Sequence, residues 1–391
     1  MAAAEGARDR GDPAKRAPRL LEGISHPRGC PNILRNRWRG FNSLGVRAGV
    51  KILIAGLGSV GRRHLRNLAA LGERNILLYR TGLSTLPEEE LAGYPVYVDL
   101  EAALAEGPNA VIVATPTARH LEVAVPAAEA GCHLLIEKPL SHSMDRVDEL
   151  KTAVEAKGVE VLMGYQFRFH PGLREVKREL DDGSIGRPLS FHAHWGEHLD
   201  DWHPWEDYRL GYSARADLGG GALLTLCHPL DYLRWFFGEA VVAWANLGRI
   251  SELEIDVEDV AEVYLQFDSG ARGSLHLDYF QRPPSHTLEI IGSDGTIRWD
   301  NRDGGVHRYR PGDEQWEIHP LPQGFERNIM FLEEMRHFLD VCRGVSRPIC
   351  TLEDGIRSLQ LIVAAKEIAA IGGDKNVSKK HDSISSLSSR Q

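Results

Sequence analysis

Apolar positions along the chain fall into two rhythms. From Val50 onward, short runs that are apolar throughout alternate with helical stretches: Val50–Ala55, a helix over Arg62–Leu71, Asn75–Tyr79, Ala110–Ala114, a helix through Ala130, His133–Ile136 and Glu160–Met163. Strands with no polar face, separated by helices, predict a parallel sheet covered on both sides. After about residue 166 the rhythm changes. A helix from Pro171 to Leu180 and a turn at Asp181-Asp182-Gly183 lead into alternating runs over Pro188–Trp195, Val257–Phe267, Gly273–Tyr279 and His286–Ile291. Alternation of this kind predicts an open, mainly antiparallel sheet with one face packed on helices and the other free. A free sheet face is a common subunit interface, so a homodimer or homotetramer is expected. Asn328–Arg343 and Leu352–Ile371 read as amphipathic helices.

The two ends differ from this pattern. Up to residue 47 there are ten Lys/Arg against four Asp/Glu with little apolar periodicity, which reads as a disordered basic extension or as a start placed too far upstream. Arg-richness would suit a transit peptide, but Glu5, Asp9, Asp12 and Glu22 argue against one. The Ser/Lys-rich stretch over 373–391 reads as a frayed tail. The expected division is therefore 1–47, a first domain over 48–165, an α+β domain over 166–350, a last helix over 351–372, and the tail.

A net charge of −9 excludes an electrostatic preference for nucleic acid, and no apolar run approaches the roughly 20 residues that span a bilayer. The five cysteines form no CxxC pair and no even framework, so they read as reduced thiols of a cytoplasmic protein.

Gly56-Leu57-Gly58-Ser59-Val60-Gly61 lies directly between a strand and a helix, the context that gives G-x-G-x-x-G its meaning. The first glycine permits the tight turn, the second lets backbone approach a pyrophosphate, and the third allows close helix packing. The helix start, with Arg62, offers N–H groups and partial positive charge to the phosphates. The first domain is therefore expected to be a Rossmann domain binding NAD or NADP. NAD sites usually carry an acid at the end of the second strand. Here that strand ends Tyr79-Arg80-Thr81, with no carboxylate before Glu88, which favours NADP through Arg80. Arg80 stacked on adenine, which both cofactors share, is the other reading.

Three further segments carry a resemblance: Ala114-Thr115-Pro116-Thr117-Ala118-Arg119-His120, the post-strand Glu137-Lys138-Pro139, and Gly219-Gly-Gly-Ala-Leu-Leu-Thr-Leu-Cys-His228-Pro-Leu-Asp231 before the apolar helix Tyr232–Phe237. With the glycine loop they make the chain similar to the Gfo/Idh/MocA oxidoreductases over roughly residues 48 to 372. That resemblance implies a nicotinamide-dependent enzyme acting on sugars, inositols and related molecules, with a cis bond before Pro139. Lys138, at the carboxyl edge of the sheet, can hold the reacting oxygen and stabilise its charge, and desolvation there is expected to lower its pKa. His228, with an ordinary pKa near 6.5, is expected to exchange the hydroxyl proton, while Asp231 one turn on either orients its ring or, with Thr225, contacts the substrate. The family commonly places an Asp four residues before this histidine. Here that position is Leu224, with Thr225 beside it, and neither is a carboxylate base.

Thr115, Pro116, His120, Glu137, Lys138 and Gln166 are expected along the cofactor, with Arg80 and Thr81 at its adenine end. Arg168 could pair with a substrate carboxylate or form a structural salt bridge. Trp205 and Tyr208, in a stretch rich in rings and donors, suit a sugar's apolar face and hydroxyl edges, or pack under an ordered loop. His192 and His194 share a strand face, but the chemistry needs no metal and none is expected. The sequence thus reads as an NAD(P)-dependent dehydrogenase or reductase of a sugar, sugar acid or cyclitol. An imine or tetrapyrrole reductase and a catalytically impaired dinucleotide sensor or scaffold are the alternatives.

Overall fold

In a computed structural model the described residues are 49–81, 89–202 and 206–377. The first sheet has six strands, β1 (Ile52–Ala55), β2 (Ile76–Tyr79), β3 (Val96–Tyr97), β4 (Ala110–Val113), β5 (His133–Glu137) and β6 (Val161–Gly164). Their order is β3-β2-β1-β4-β5-β6, every pair parallel. The connecting helices are α1 (Ser59–Ala70), α2 (Leu100–Ala105), α3 (His120–Glu129) and α4 (Val147–Lys157). All residues of β1 and β4 are buried, as continuous apolar runs require when helices cover both faces. This is the doubly wound dinucleotide-binding arrangement, and it presents the glycine loop and the ends of β4 and β5 at one edge.

The chain then runs through α5 (Pro171–Asp181), β7 (Pro188–Gly196), α6 (Ala222–Thr225), α7 (His228–Phe237), β8 (Ala240–Gly248), β9 (Val260–Phe267), β10 (Arg272–Asp278), β11 (Ser285–Gly292), β12 (Gly295–Asp300), β13 (Val306–Tyr309), β14 (Glu317–His319), α8 (Arg327–Cys342) and α9 (Leu352–Val377). The second sheet has the order β14-β13-β12-β11-β7-β10-β9-β8. It is antiparallel except between β7 and β10, which pair in parallel because the chain leaves the sheet for α6 and α7 between them. The expected antiparallel α+β region is thus present, larger than its sequence pattern suggested. β8 escaped that reading because its faces alternate weakly, with both Val241 and Trp244 exposed, and β12–β14 because they are short.

The last helix continues to Val377, past the expected end at residue 372, and residues 378–391 and 1–47 lie outside the described residues. Ahead of α9 the chain returns to the first sheet, where Met163 N–H of β6 donates to the Cys350 carbonyl at 2.9 Å. Gly355 then sets the α9 backbone directly on the Met163 side chain. Among the described residues no helix is long and apolar enough to cross a membrane.

Candidate active site

The glycine loop is built as a phosphate cradle. Gly56 has φ +94°, and a Cβ there would lie 2.5 Å from the Ala114 carbonyl oxygen at the end of β4. A Cβ on Gly61 would lie 1.9 Å from the Gly56 oxygen, so α1 can start this close to β1 only with glycine. Gly58 caps α1 without any side-chain cap, no acid sits in the first turn, and nothing lies within 4 Å of where its Cβ would be. The first N–H groups therefore face an open concavity, and the residues present fit a dinucleotide. Leu57 is buried and offers only backbone, while Ser59 is exposed and Val60 half-buried beside the concavity.

Arg62 does not join this surface. It is 2% exposed, its Nε donating to the Leu57 carbonyl at 3.0 Å and a guanidinium nitrogen lying 3.5 Å from Glu90, so it braces the loop from within. Arg80 is half-buried at the end of β2, its N–H bonded to the Tyr97 carbonyl at 3.0 Å, with Thr81 exposed after it.

At the end of β4, Thr115 and Pro116 are half-buried, and the Thr115 hydroxyl has no partner. His120 does not reach a cofactor. Its ring is buried between the Pro139 carbonyl (2.8 Å from Nδ1) and the Thr115 carbonyl (3.0 Å from Nε2), tying the β4 loop to the cis Lys138–Pro139 turn. Glu137 accepts a 2.8 Å hydrogen bond from His64 of α1. Burial pushes its carboxyl up, but that bond and the Lys138 charge outweigh it and leave the group below its ordinary value. Beyond it, burial and the Glu137 charge hold the Glu334 carboxyl of α8 well above the usual range, and neither oxygen of Glu334 has a partner. One carboxylate of this pair is therefore ionised and the other neutral.

Lys138 and His228 come together from opposite sides of the fold. Lys138 Nζ donates to the Thr225 carbonyl at 2.5 Å, in the short helix three residues before His228. Burial works against the Lys138 ammonium, but the nearby Tyr212 phenol, Cys227 thiol and Glu137 carboxylate raise it above its ordinary value. The expected lowering by desolvation does not occur, because these neighbours favour the charge.

His228 opens α7 and is 2% exposed. Its Nε2 meets Gln166 Nε2 at 3.2 Å, its ring stacks on Trp195 at 5.5 Å, and Phe167 packs edge-on at 5.0 Å. Its Nδ1 has no partner. Burial first, then the positive Lys138 and the neighbouring His286, hold the imidazole well below its ordinary pKa, so it is neutral rather than poised near 6.5. A held cation beside a neutral imidazole is a pair in which one group stabilises an oxyanion and the other accepts a proton.

Gln166 was expected along the cofactor; its contact is with His228, whose ring it orients. His286 was not foreseen. It stacks on Trp195 at 4.2 Å and bonds Tyr232 OH at 3.2 Å, behind His228. Only the register of β11 against β7, which sets His286 opposite Trp195, brings it there.

Arg168, Asp231 and Thr225 were expected substrate contacts, and each is engaged elsewhere. Arg168 Nε and a terminal nitrogen donate to the two Asp231 oxygens at 2.9 and 2.7 Å, and the other terminal nitrogen donates to the Ile349 carbonyl at 2.7 Å. Both side chains are buried, so Arg168 is structural and Asp231 cannot orient His228. The Thr225 side chain is buried, and its carbonyl, not its hydroxyl, holds Lys138. Tyr208 accepts from the Glu254 N–H at 3.2 Å, a contact that does not reach the Lys138–His228 pair. Trp205 lies outside the described residues.

On the second sheet, His192 pairs with Ser274, while His194 stacks on His276 at 4.7 Å. His194, His276 and Asp278 have metal-like spacing. Both ring nitrogens of His276, however, are bonded to carboxylates, Glu262 at 2.5 Å and Asp278 at 3.0 Å, and its pKa is raised to about 9, Asp278 contributing most.

Residues 50–165 match the family model described as "Oxidoreductase family, NAD-binding Rossmann fold", and residues 173–298 match the GFO/IDH/MocA C-terminal domain. The chain is 30% identical to a myo-inositol 2-dehydrogenase of Thermotoga maritima over 342 residues, 81% of this chain and 96% of that one. It is 28% identical to a scyllo-inositol 2-dehydrogenase (NAD(+)) of Bacillus subtilis over 81% of this chain and 93% of that one. The fold is shared with levoglucosan dehydrogenase in complex with NADH and levoglucosan, at a TM-score of 0.74, 21% identity, and coverage of 82% of this chain and 97% of that one. With a cradle for a dinucleotide, a cis Lys-Pro turn at the sheet edge and both domain types matched in order, the chain belongs to the Gfo/Idh/MocA oxidoreductase family.

Proposed function

We propose that the protein oxidises or reduces a hydroxyl-bearing carbon of a sugar, sugar acid or cyclitol. The observation that carries this is the convergence of a charged Lys138 and a neutral His228, one from each sheet unit, beside a loop shaped for a dinucleotide. When bound, the nicotinamide supplies or takes the hydride. Lys138 hydrogen-bonds the substrate oxygen and stabilises its developing negative charge. His228 accepts the hydroxyl proton in oxidation and returns it in reduction, its ring held by Gln166 and Trp195. Gly58 through Gly61 hold the pyrophosphate, and Thr115, Pro116 and Glu137 line the nicotinamide side.

The cofactor preference we infer is NADP, since Arg80 stands at the end of β2, where an acid would select NAD. Release of bound dinucleotide from denatured protein, followed by NADH and NADPH titration of wild type and Arg80→Ala, tests this. Preferred NADPH, weakened in the variant, supports it. Preferred NADH removes the Arg80 assignment and leaves the oxidoreductase.

The buried Leu224, where the family commonly has Asp, favours one other reading, a dinucleotide-binding sensor without turnover. Tight dinucleotide binding with no reaction on any polyol would select it. Self-association through the second sheet is also part of the proposal, supported by Val241 and Trp244, exposed at 60% and 52% on its edge strand.

A further inference from the structure

Among the described residues the Lys138 ammonium makes one hydrogen bond, to the Thr225 carbonyl, and that acceptor belongs to the backbone. Where the ammonium sits is therefore set by how α6 is held, not by the side chain at residue 225. α6 is a single turn, closed by Thr225 N–H on the Gly221 carbonyl and Leu226 N–H on the Ala222 carbonyl, both at 2.9 Å. One turn of helix does not hold itself rigid, because fixing its backbone costs more than its own bonds return. Leu223 and Leu224 are buried and set its depth, but apolar burial is not directional.

The directional contacts at its start come from Glu258, two residues before β9 begins. Ala222 N–H donates to the Glu258 carbonyl at 3.0 Å, and Leu223 N–H donates to Glu258 Oε1 at 3.2 Å. The carboxylate lies against Gly221, where φ is +109° and a Cβ would stand 2.4 Å from Oε1, so glycine is what admits it. Burial raises the Glu258 carboxyl above its ordinary value, which suits an acceptor for one backbone N–H rather than a counter-ion. Glu258 is pinned in turn by its neighbour. Asp259 is fully buried, its carboxylate takes the Ile250 and Ser251 N–H groups at 2.9 Å, and its carbonyl takes the Tyr279 N–H at 2.9 Å.

We propose that Glu258 is a positioning residue for Lys138: it fixes α6, and through α6 the Thr225 carbonyl that aims the ammonium at the substrate oxygen. This rests on the dehydrogenase reading above and adds to it a residue that acts through the backbone. The route runs from Glu258 Oε1 to the Leu223 N–H, along one helical turn to the Thr225 carbonyl, and on to Lys138 Nζ. α6 carries no acid of its own, only Ala222, Leu223, Leu224 and Thr225, so the carboxylate that orders the lysine works from outside the helix. A misplacement of about 1 Å at a catalytic group can cost on the order of a hundredfold in rate, so small movements of α6 register in catalysis.

Acylation of the full-length protein with acetic anhydride, read residue by residue by mass spectrometry, tests this without a known substrate. Only the free amine reacts, so an ammonium held on a carbonyl is labelled slowly; Lys151 and Lys157 of α4 are the internal references. Two conservative variants separate reach from charge. Glu258→Gln keeps the acceptor oxygen and loses the charge, whereas Glu258→Asp keeps the charge and shortens the reach. Glu258→Asp should speed Lys138 labelling roughly tenfold against the references, the effect of losing one hydrogen bond to a charged group, and Glu258→Gln should stay within about twofold of wild type. NADH affinity should be unchanged in both. Glu258→Gln labelled as fast as Glu258→Asp, or faster, would show that charge and not the bond to Leu223 matters, and would overturn the proposal. So would wild-type labelling in both variants, since α6 would then be held without Glu258. Lost NADH affinity in Glu258→Asp would show a general structural role and overturn it as well. Wild-type protein that binds no NADH would overturn the dehydrogenase reading, and with it the role in the reaction, whatever the labelling.

Discussion

Lys138 donates its ammonium proton to the carbonyl oxygen of Thr225 at 2.5 Å, joining the edge of the first sheet to the helix that leads into His228. The bond keeps the lysine at the mouth of the cluster, and a substrate oxygen can share the same ammonium, which has three protons to give. Lys138→Met should lower kcat by at least about a hundredfold while leaving dinucleotide affinity close to wild type. Turnover within a few-fold of wild type, measured at saturating cofactor, would remove Lys138 from the reaction.

His228 is held neutral, and this sets a pH profile. A base whose pKa lies well below 6.5 remains able to accept a proton down through that pH, so the acid limb of kcat/KM for oxidation should fall below 6.5. Gln166→Leu removes the ring's hydrogen-bond partner and should reduce kcat more than it raises KM. An acid limb at or above pH 6.5 in wild type would show that burial does not govern this imidazole.

Asp231→Asn tests the structural role of the Arg168 pair. The variant leaves a buried guanidinium without its bidentate partner, a loss of about 3 kcal/mol read by urea denaturation, tempered by the remaining Asp354 contact at 3.2 Å. A substrate-binding Asp231 would instead raise KM with stability unchanged.

His276 gives a pH-dependent stability. Its folded pKa is raised to about 9, so its contribution is fully present below the unfolded value of about 6.5 and is lost as pH rises through 9. His276→Gln should therefore cost about 2–3 kcal/mol near pH 6, with the gap from wild type closing by about pH 10. A gap independent of pH would mean packing rather than charge holds the pair of sheet strands there.

What the sequence showed and what it hid divide along physical lines. The glycine loop, the Lys138 turn and the His228 helix start are local patterns, in which a short segment determines both its backbone and its chemistry, and they were legible. Both the rejected and the missed assignments depended on distant partners. Arg168 read equally as a substrate contact or a structural salt bridge, and only Asp231, 63 residues on, decides for the bridge. His286 sits in unremarkable sequence and reaches the cleft only through strand register. His228 itself was recognised, but its depressed pKa comes from enclosure by Trp195 and Phe167, which no spacing along the chain encodes.

The bond from Met163 to the Cys350 carbonyl has a consequence for biosynthesis. The outer strand of the nucleotide-binding sheet is finished by a residue 187 positions further along the chain. A ribosome-bound chain can therefore pair all six strands of that sheet early, but the outer flank of β6 stays open until almost the whole protein has emerged. Premature termination between the end of β6 and residue 350 leaves a complete nucleotide-binding sheet with one raw strand edge, a species built for chaperone capture or self-association rather than for partial activity.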